Sequence, residues 1–254
     1  MDVVDDEAPL LDPHRFRIGV SLIVMERKEL LQPAITSLVA SEMATYNYTI
    51  YYWCNKPGSE AALYMKSLRG VPVVEVPNPT GGNAGIVIPR VRIMEAMMAA
   101  TPRLDYFMEM HDDMYFFPAT PWVSNLLKFD APDTGILMPF IFNANTMPAD
   151  AAAVLPGLRR DGDPRDARAG LVAAHVLYYR CIQVHPWFLK RALIEEVGYY
   201  DLAFSPHEME DDDLMYRTLT SGWRAVAVRA SWALHYGAVC VAAALADVGC
   251  TTAQ

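Results

Sequence analysis

From Arg17 onward the chain alternates between apolar runs and helical periodicities. Ile18–Met25 (IGVSLIVM) is almost continuously apolar, the pattern of a strand covered on both faces. Leu31, Ile35, Leu38 and Val39 then recur at helical spacing. Tyr48–Cys54 is aromatic and β-branched and predicts a second strand, after which Ser59 is placed to N-cap a helix carrying Leu63 and Leu68. Val71–Val76 predicts a third strand, ended by the breaker-rich PNPTGGNAG. Pro89 suits the first turn of a helix whose apolar face is Val91, Met94, Met97 and Met98. Leu104–Met110 is a fourth strand running into His111-Asp112-Asp113; Thr120-Pro121 opens another helix, and Gly135–Phe142 is a further strand.

This order specifies an α/β fold with a mostly parallel central sheet flanked by helices. Ligands of such sheets bind beyond the carboxyl ends of the strands. That gathers Met25–Arg27, Cys54–Asn55, Asn78–Gly85 and His111–Asp113 around one crevice. The second half is less regular. Residues 143–170 read as a long loop of the lid or binding type. A strand is expected over His175–Val184, a helix from Pro186 to Val197 stopped by Gly198, and an acidic helix start at HEMEDDDLMYR closed by Gly222. WRAVAV and SWALHY then complete the sheet. The expected organisation is a flexible lead-in over 1–16, one domain over 17–237, and a C-terminal helix or tail over 238–254. For that last stretch a packed terminal helix is the first reading, with docking to a partner or peripheral membrane contact the alternative.

Composition narrows the function. At 254 residues and 53% hydrophobic the chain has ample material for a core. Its net charge of -9 argues against nucleic acid as a partner, since phosphates need a basic face. An acidic protein that binds a diphosphate needs a cation to bridge the two. The four cysteines form no CxxC pair, the N-terminus is acidic rather than signal-like, and no apolar run approaches the ~20 residues of a membrane span. The expectation is a cytoplasmic protein with reduced thiols.

Four segments carry candidate chemistry. Asp112 and Asp113, adjacent at a strand's carboxyl end, repel each other and suit a divalent ion such as Mg²⁺ or Mn²⁺; an ordinary turn or cap is the equal alternative. Glu210-Asp211-Asp212-Asp213 opens a helix, where acids favour the dipole and Asp213 can pair with Arg217, yet four exceed what capping requires. One of them could act as a general base. His235, at the end of the last strand, offers an imidazole to a metal, although lone histidines there are usually structural. Gly81–Gly85 (GGNAG) precedes a helix bearing Arg90 and Arg92 and can approach a phosphate, or form only a turn.

In this order and spacing the segments resemble the family-2-like inverting glycosyltransferases of the GT-A fold, over roughly Arg17–Tyr236. VMER (Val24–Arg27) resembles the family's first nucleotide-contacting turn, CNKPGSE its second loop, and NAGIVIPR its third. Aligning the family's Asp-x-Asp motif on Pro118 makes Asp113 the metal-binding Asp and puts His111 where the family has its first Asp. EDDDLMYR resembles the family's E-D-x-D-L-x-x-R segment, which implies Asp211 as catalytic base beside Glu210. The resemblance implies Mn²⁺ or Mg²⁺ on Asp113 with Asp112 or His235, and a nucleotide-sugar donor, UDP by default. It implies donor contacts from Val24, Glu26, Asn55, Asn83, Gly85, Arg90, His111 and Asp112. The acceptor would be a carbohydrate or other hydroxyl compound. The rivals are a catalytically degenerate nucleotide- or sugar-binding module, a nucleotidyltransferase of similar layering, and an HD-type phosphohydrolase. VMERKE lacks the nucleotidyltransferase's glycines, and the HD class carries its ligands on helices rather than after a strand.

Overall fold

A computed structural model describes residues 13–118, 120–143, 185–207 and 209–236. The expected loop over 143–170 (apart from Asn143, which ends a strand), the strand over His175–Val184 and the C-terminal helix or tail lie outside the described residues. Eight strands build one sheet: β1 (Arg17–Val24), β2 (Asn47–Cys54), β3 (Val73–Glu75), β4 (Tyr106–Met110), β5 (Met114–Tyr115), β6 (Thr134–Asn143), β7 (Trp187–Lys190) and β8 (Arg224–His235). Their spatial order is β3-β2-β1-β4-β7-β6-β8-β5. The helices are α1 (Lys28–Ala40), α2 (Glu60–Ser67), α3 (Val87–Met98), α4 (Trp122–Leu127), α5 (Arg191–Val197) and α6 (Glu210–Thr220).

The first half is the predicted parallel unit, with β2, β1 and β4 aligned so that their carboxyl ends lie side by side. Alternation along β1 divides the core. Ile18, Val20, Leu22 and Val24 join Leu31, Ile35 and Leu38 of α1 on one face, while Ile23 packs with Trp53, Val87 and Ile93 on the other. Gly19 faces α3, where a Cβ would lie 2.6 Å from Leu104 and 2.7 Å from Met97, so the helix packs directly on the strand. Ser59 caps α2 as expected, its hydroxyl accepting from the Ala62 amide. Phe16, assigned to the lead-in by the sequence, is buried in the core.

The second half departs from expectation in two respects. Trp187–Lys190 is a strand rather than the start of a helix, and helix begins only at Arg191. Buried Trp187, Phe188 and Leu189 explain why: the run lies antiparallel between β4 and β6, apolar on both faces, and periodicity cannot distinguish so short a run from helix. The predicted pair of final strands is one strand, β8, parallel to β6.

This topology delivers two segments to the end of β4. Because β7 pairs antiparallel, with Glu109 opposite Trp187, His185 enters beside the carboxyl end of β4. Because Met114 pairs with His235, the end of β8 arrives next to Asp113.

Candidate active site

Beyond the end of β4 lies a cleft of about 530 Å³, lined by Arg90, His111, His185 and Tyr200 and by the first turn of α6, including Glu210 and Asp211. No helix among the described residues is long and apolar enough to cross a membrane.

Three side chains able to ligate a metal meet at the cleft's edge. His111, Asp113 and His235 bring one ligand atom each to within 4.8 Å of one another. His235 Nε2 lies 3.2 Å from Asp113 Oδ1 and 3.5 Å from His111 Nδ1. Burial, with the charges of His185, Arg90 and His235, holds His111 well below the ordinary imidazole value, so its ring is neutral and able to donate a lone pair. Burial pushes the Asp113 carboxyl up, but His235 and Arg27 outweigh it and hold Asp113 below its ordinary value. Two imidazoles and one carboxylate are a donor set that fits Mn²⁺ better than the oxygen-demanding Mg²⁺.

Asp112 stands apart from this triad. Its Oδ2 accepts from the Met25 amide at 3.1 Å, tying the acid pair to the loop after β1. Burial and the neighbouring Asp113, against that amide, push the Asp112 carboxyl up to about 6.

The other donor-contact candidates fall into two groups. Asn55 is buried with its amide engaged: Oδ1 accepts from Trp53 Nε1 and the Ala84 amide, and Nδ2 donates to Gly85 O at 2.8 Å. It shapes the loop around Gly85 rather than projecting from it. Gly85 (φ +77°) is required there, since a Cβ would lie 2.5 Å from Pro206 O. Arg90, expected to reach a phosphate, is 2% exposed and donates to Ser21 O, Ser21 Oγ and Met110 O, stitching α3 to β1 and β4. Val24 is buried at the end of β1. Glu26 and Asn83 lie at the surface, Glu26 paired with Lys56 at 2.5 Å and Asn83 accepting from the Gly85 amide.

Asp211 sits on the first turn of α6, its side chain 21% exposed. Burial and the charge of Glu109, against His185 and Tyr200, push its carboxyl up, toward a stronger base. Glu210 beside it is buried, and Asp213 takes the expected ion pair with Arg217 at 2.6 Å.

Three residues around Asp211 were not singled out by the sequence motifs. Glu109, fully buried in β4, lies 2.6 Å through Oε2 from His185 Nε2 and accepts from the Tyr200 hydroxyl at 2.9 Å. That hydroxyl also hydrogen-bonds Asp211 Oδ1. Glu109, His185 and Asp211 could in principle hold a metal. With Arg90 charging the same space and Tyr200 already bridging both carboxylates, a hydrogen-bonded network is the better description. An acid inside an apolar strand was the available signal, because a buried carboxylate demands partners.

No protein-family model matches the sequence, and no curated protein does. Solved structures do. TarS from S. aureus, residues 1–349, aligns at TM-score 0.61 and 9% identity, covering 87% of this chain and 61% of that one. Its complex with UDP-GlcNAc gives TM-score 0.63 and 9% identity, covering 87% and 58%. The mannosyltransferase PcManGT from Pyrobaculum calidifontis, in complex with GDP-Man and Mn²⁺, gives 0.59 and 14% identity, covering 96% and 67%. The chain thus spans about three fifths of the TarS structures. At these identities the likeness is one of architecture: the chain has the fold of GT-A-type glycosyltransferases.

Proposed function

We propose that the protein is a metal-dependent glycosyltransferase that moves a sugar from a nucleoside-diphosphate donor to a hydroxyl acceptor with inversion. The observation that carries this reading is the pairing, across one cleft, of a His111–Asp113–His235 donor set with a base-like Asp211. The TarS complex with UDP-GlcNAc and the PcManGT complex with GDP-Man and Mn²⁺ support the donor class and the ion. His111, Asp113 and His235 would hold a divalent ion, which would neutralise charge on the departing diphosphate. Asp211 takes the proton of the acceptor hydroxyl as that oxygen attacks the anomeric carbon from the face opposite the leaving group. Arg90 and Asn55 act behind the surface, fixing the strand ends and the Gly85 loop against which the donor lies.

The test is thermal-shift screening against UDP, GDP, dTDP and CMP, each with and without Mn²⁺. Binding to the native state raises the melting temperature by mass action. One nucleoside diphosphate should stabilise the protein only with Mn²⁺, and Asp113→Ala should lose that response. Asp211→Asn should keep it while abolishing transfer. Metal-independent stabilisation, or none, would count against the reading and favour a degenerate binding module.

A further inference from the structure

An acid on the first turn of a helix ordinarily turns toward the free backbone amides of that turn. The first turn of α6 has no side-chain cap from its N-cap residue Met209, so those amides offer Asp211 that option. Its Oδ1 is instead held by the Tyr200 hydroxyl, with His185 Nε2 3.7 Å away. A phenol has one hydrogen and here meets two carboxylates, Glu109 Oε2 and Asp211 Oδ1. The imidazole resolves the competition: His185 Nε2, at 2.6 Å, can satisfy Glu109, which frees the tyrosine's hydrogen for Asp211. Both donors are locked by stacking, His185 on Trp187 at 4.8 Å and Tyr200 on Tyr199 at 4.3 Å between ring centres.

Resting on the reading of Asp211 as the base, we propose that Tyr200 is a positioning residue whose hydroxyl, backed by Glu109 and His185, pins Asp211 Oδ1 and aims the carboxylate into the cleft. Tyr200 and His185 both address Oδ1, so the second oxygen of the same carboxylate is the one that receives the acceptor's proton. His185 supports Tyr200 indirectly, by keeping Glu109 from drawing off its hydrogen.

Tyr200→Phe removes only the hydroxyl and keeps the ring on Tyr199. Turnover is measured as transfer or donor hydrolysis, with the nucleotide sugar that the thermal-shift screen selects. We expect kcat to fall about 10- to 100-fold, the range for a misplaced catalytic group, while donor KM and the Mn²⁺ requirement change less than about twofold. A kcat within twofold of the parent, or a loss matched by an equal rise in donor KM, overturns the proposal. Asp211→Asn separates the two readings. If it keeps full turnover, the base assignment fails; if it is inactive while Tyr200→Phe is fully active, only the positioning role fails. A second measurement needs no turnover: urea unfolding of Tyr200→Phe, Asp211→Asn and the double variant. The effects on the unfolding constant should fail to multiply by about fivefold or more, and independence of the two sites overturns the proposal. Should Tyr200→Phe not fold, His185→Phe keeps the ring stack, leaves Glu109 to compete for the tyrosine's hydrogen, and should lower kcat to the same extent; unchanged kcat there overturns it.

Discussion

Replacing Asp112 with Asn removes a charge from a site where the fold disfavours it, while the amide oxygen can still accept from the Met25 amide. Asp112 is 6% exposed, and its carboxyl is raised from an ordinary 3.8 to about 6. At about 1.4 kcal/mol per tenfold change in acidity, the ionised form carries a penalty of about 3 kcal/mol in the folded state. The sign follows from proton binding. Between pH 3.8 and about 6 the native protein holds a proton that the unfolded chain has released, so stability falls as pH rises through that window and the penalty is complete above it. Asp112→Asn escapes it. The variant should therefore exceed the parent by about 1 kcal/mol at pH 4.5 and about 3 kcal/mol at pH 7.5 in urea unfolding. EDTA in the buffer keeps divalent ions off the neighbouring Asp113. An equal gain at both pH values, or a loss at pH 7.5, would refute the electrostatic reasoning.

Other substitutions test the supports of the site. Gly85→Ala puts a methyl against the Pro206 backbone at a positive φ and should cost at least about 2 kcal/mol in urea unfolding, because neither partner can yield cheaply. Arg90→Met leaves Glu109 fully buried without the arginine charge that helps keep it ionised and should cost about 3–5 kcal/mol; adding Glu109→Gln should recover part of that loss. Ser59→Ala deletes the α2 cap and should cost about 1 kcal/mol by the same assay, with nucleotide binding unchanged.

The centre of the parallel half was legible because β1 and β2 lie in long apolar runs bounded by turn chemistry, Ile18–Met25 and Tyr48–Cys54. Trp187–Lys190 was not, since three apolar residues and a lysine next to a helix carry no period of their own and only the β4 and β6 edges make them a strand. The same limit governs the site. Asp113 and His235 were named from the sequence, but what unites them is the antiparallel pairing of Met114 with His235, a contact across 121 positions that no local pattern encodes.

A residue's type told more than its motif position. Arg90 and Asn55 were placed near the ligand by analogy with loops that touch nucleotides, yet both are buried and donate to backbone carbonyls, Arg90 to Ser21 and Met110 and Asn55 to Gly85. Burying a guanidinium is tolerable only where its donors and its charge are answered, and Glu109 answers the charge. Glu109 in turn requires hydrogen-bond donors on its other side, and His185 and Tyr200 supply them. Tyr200 then reaches Asp211. One buried cation thus leads, through a chain of groups each needing the next, to the carboxylate at the mouth of the cleft. A sequence read for that chain of needs, starting from Glu109 between the two methionines of LDYFMEM, would have pointed to a partnered interior acid before any fold was known.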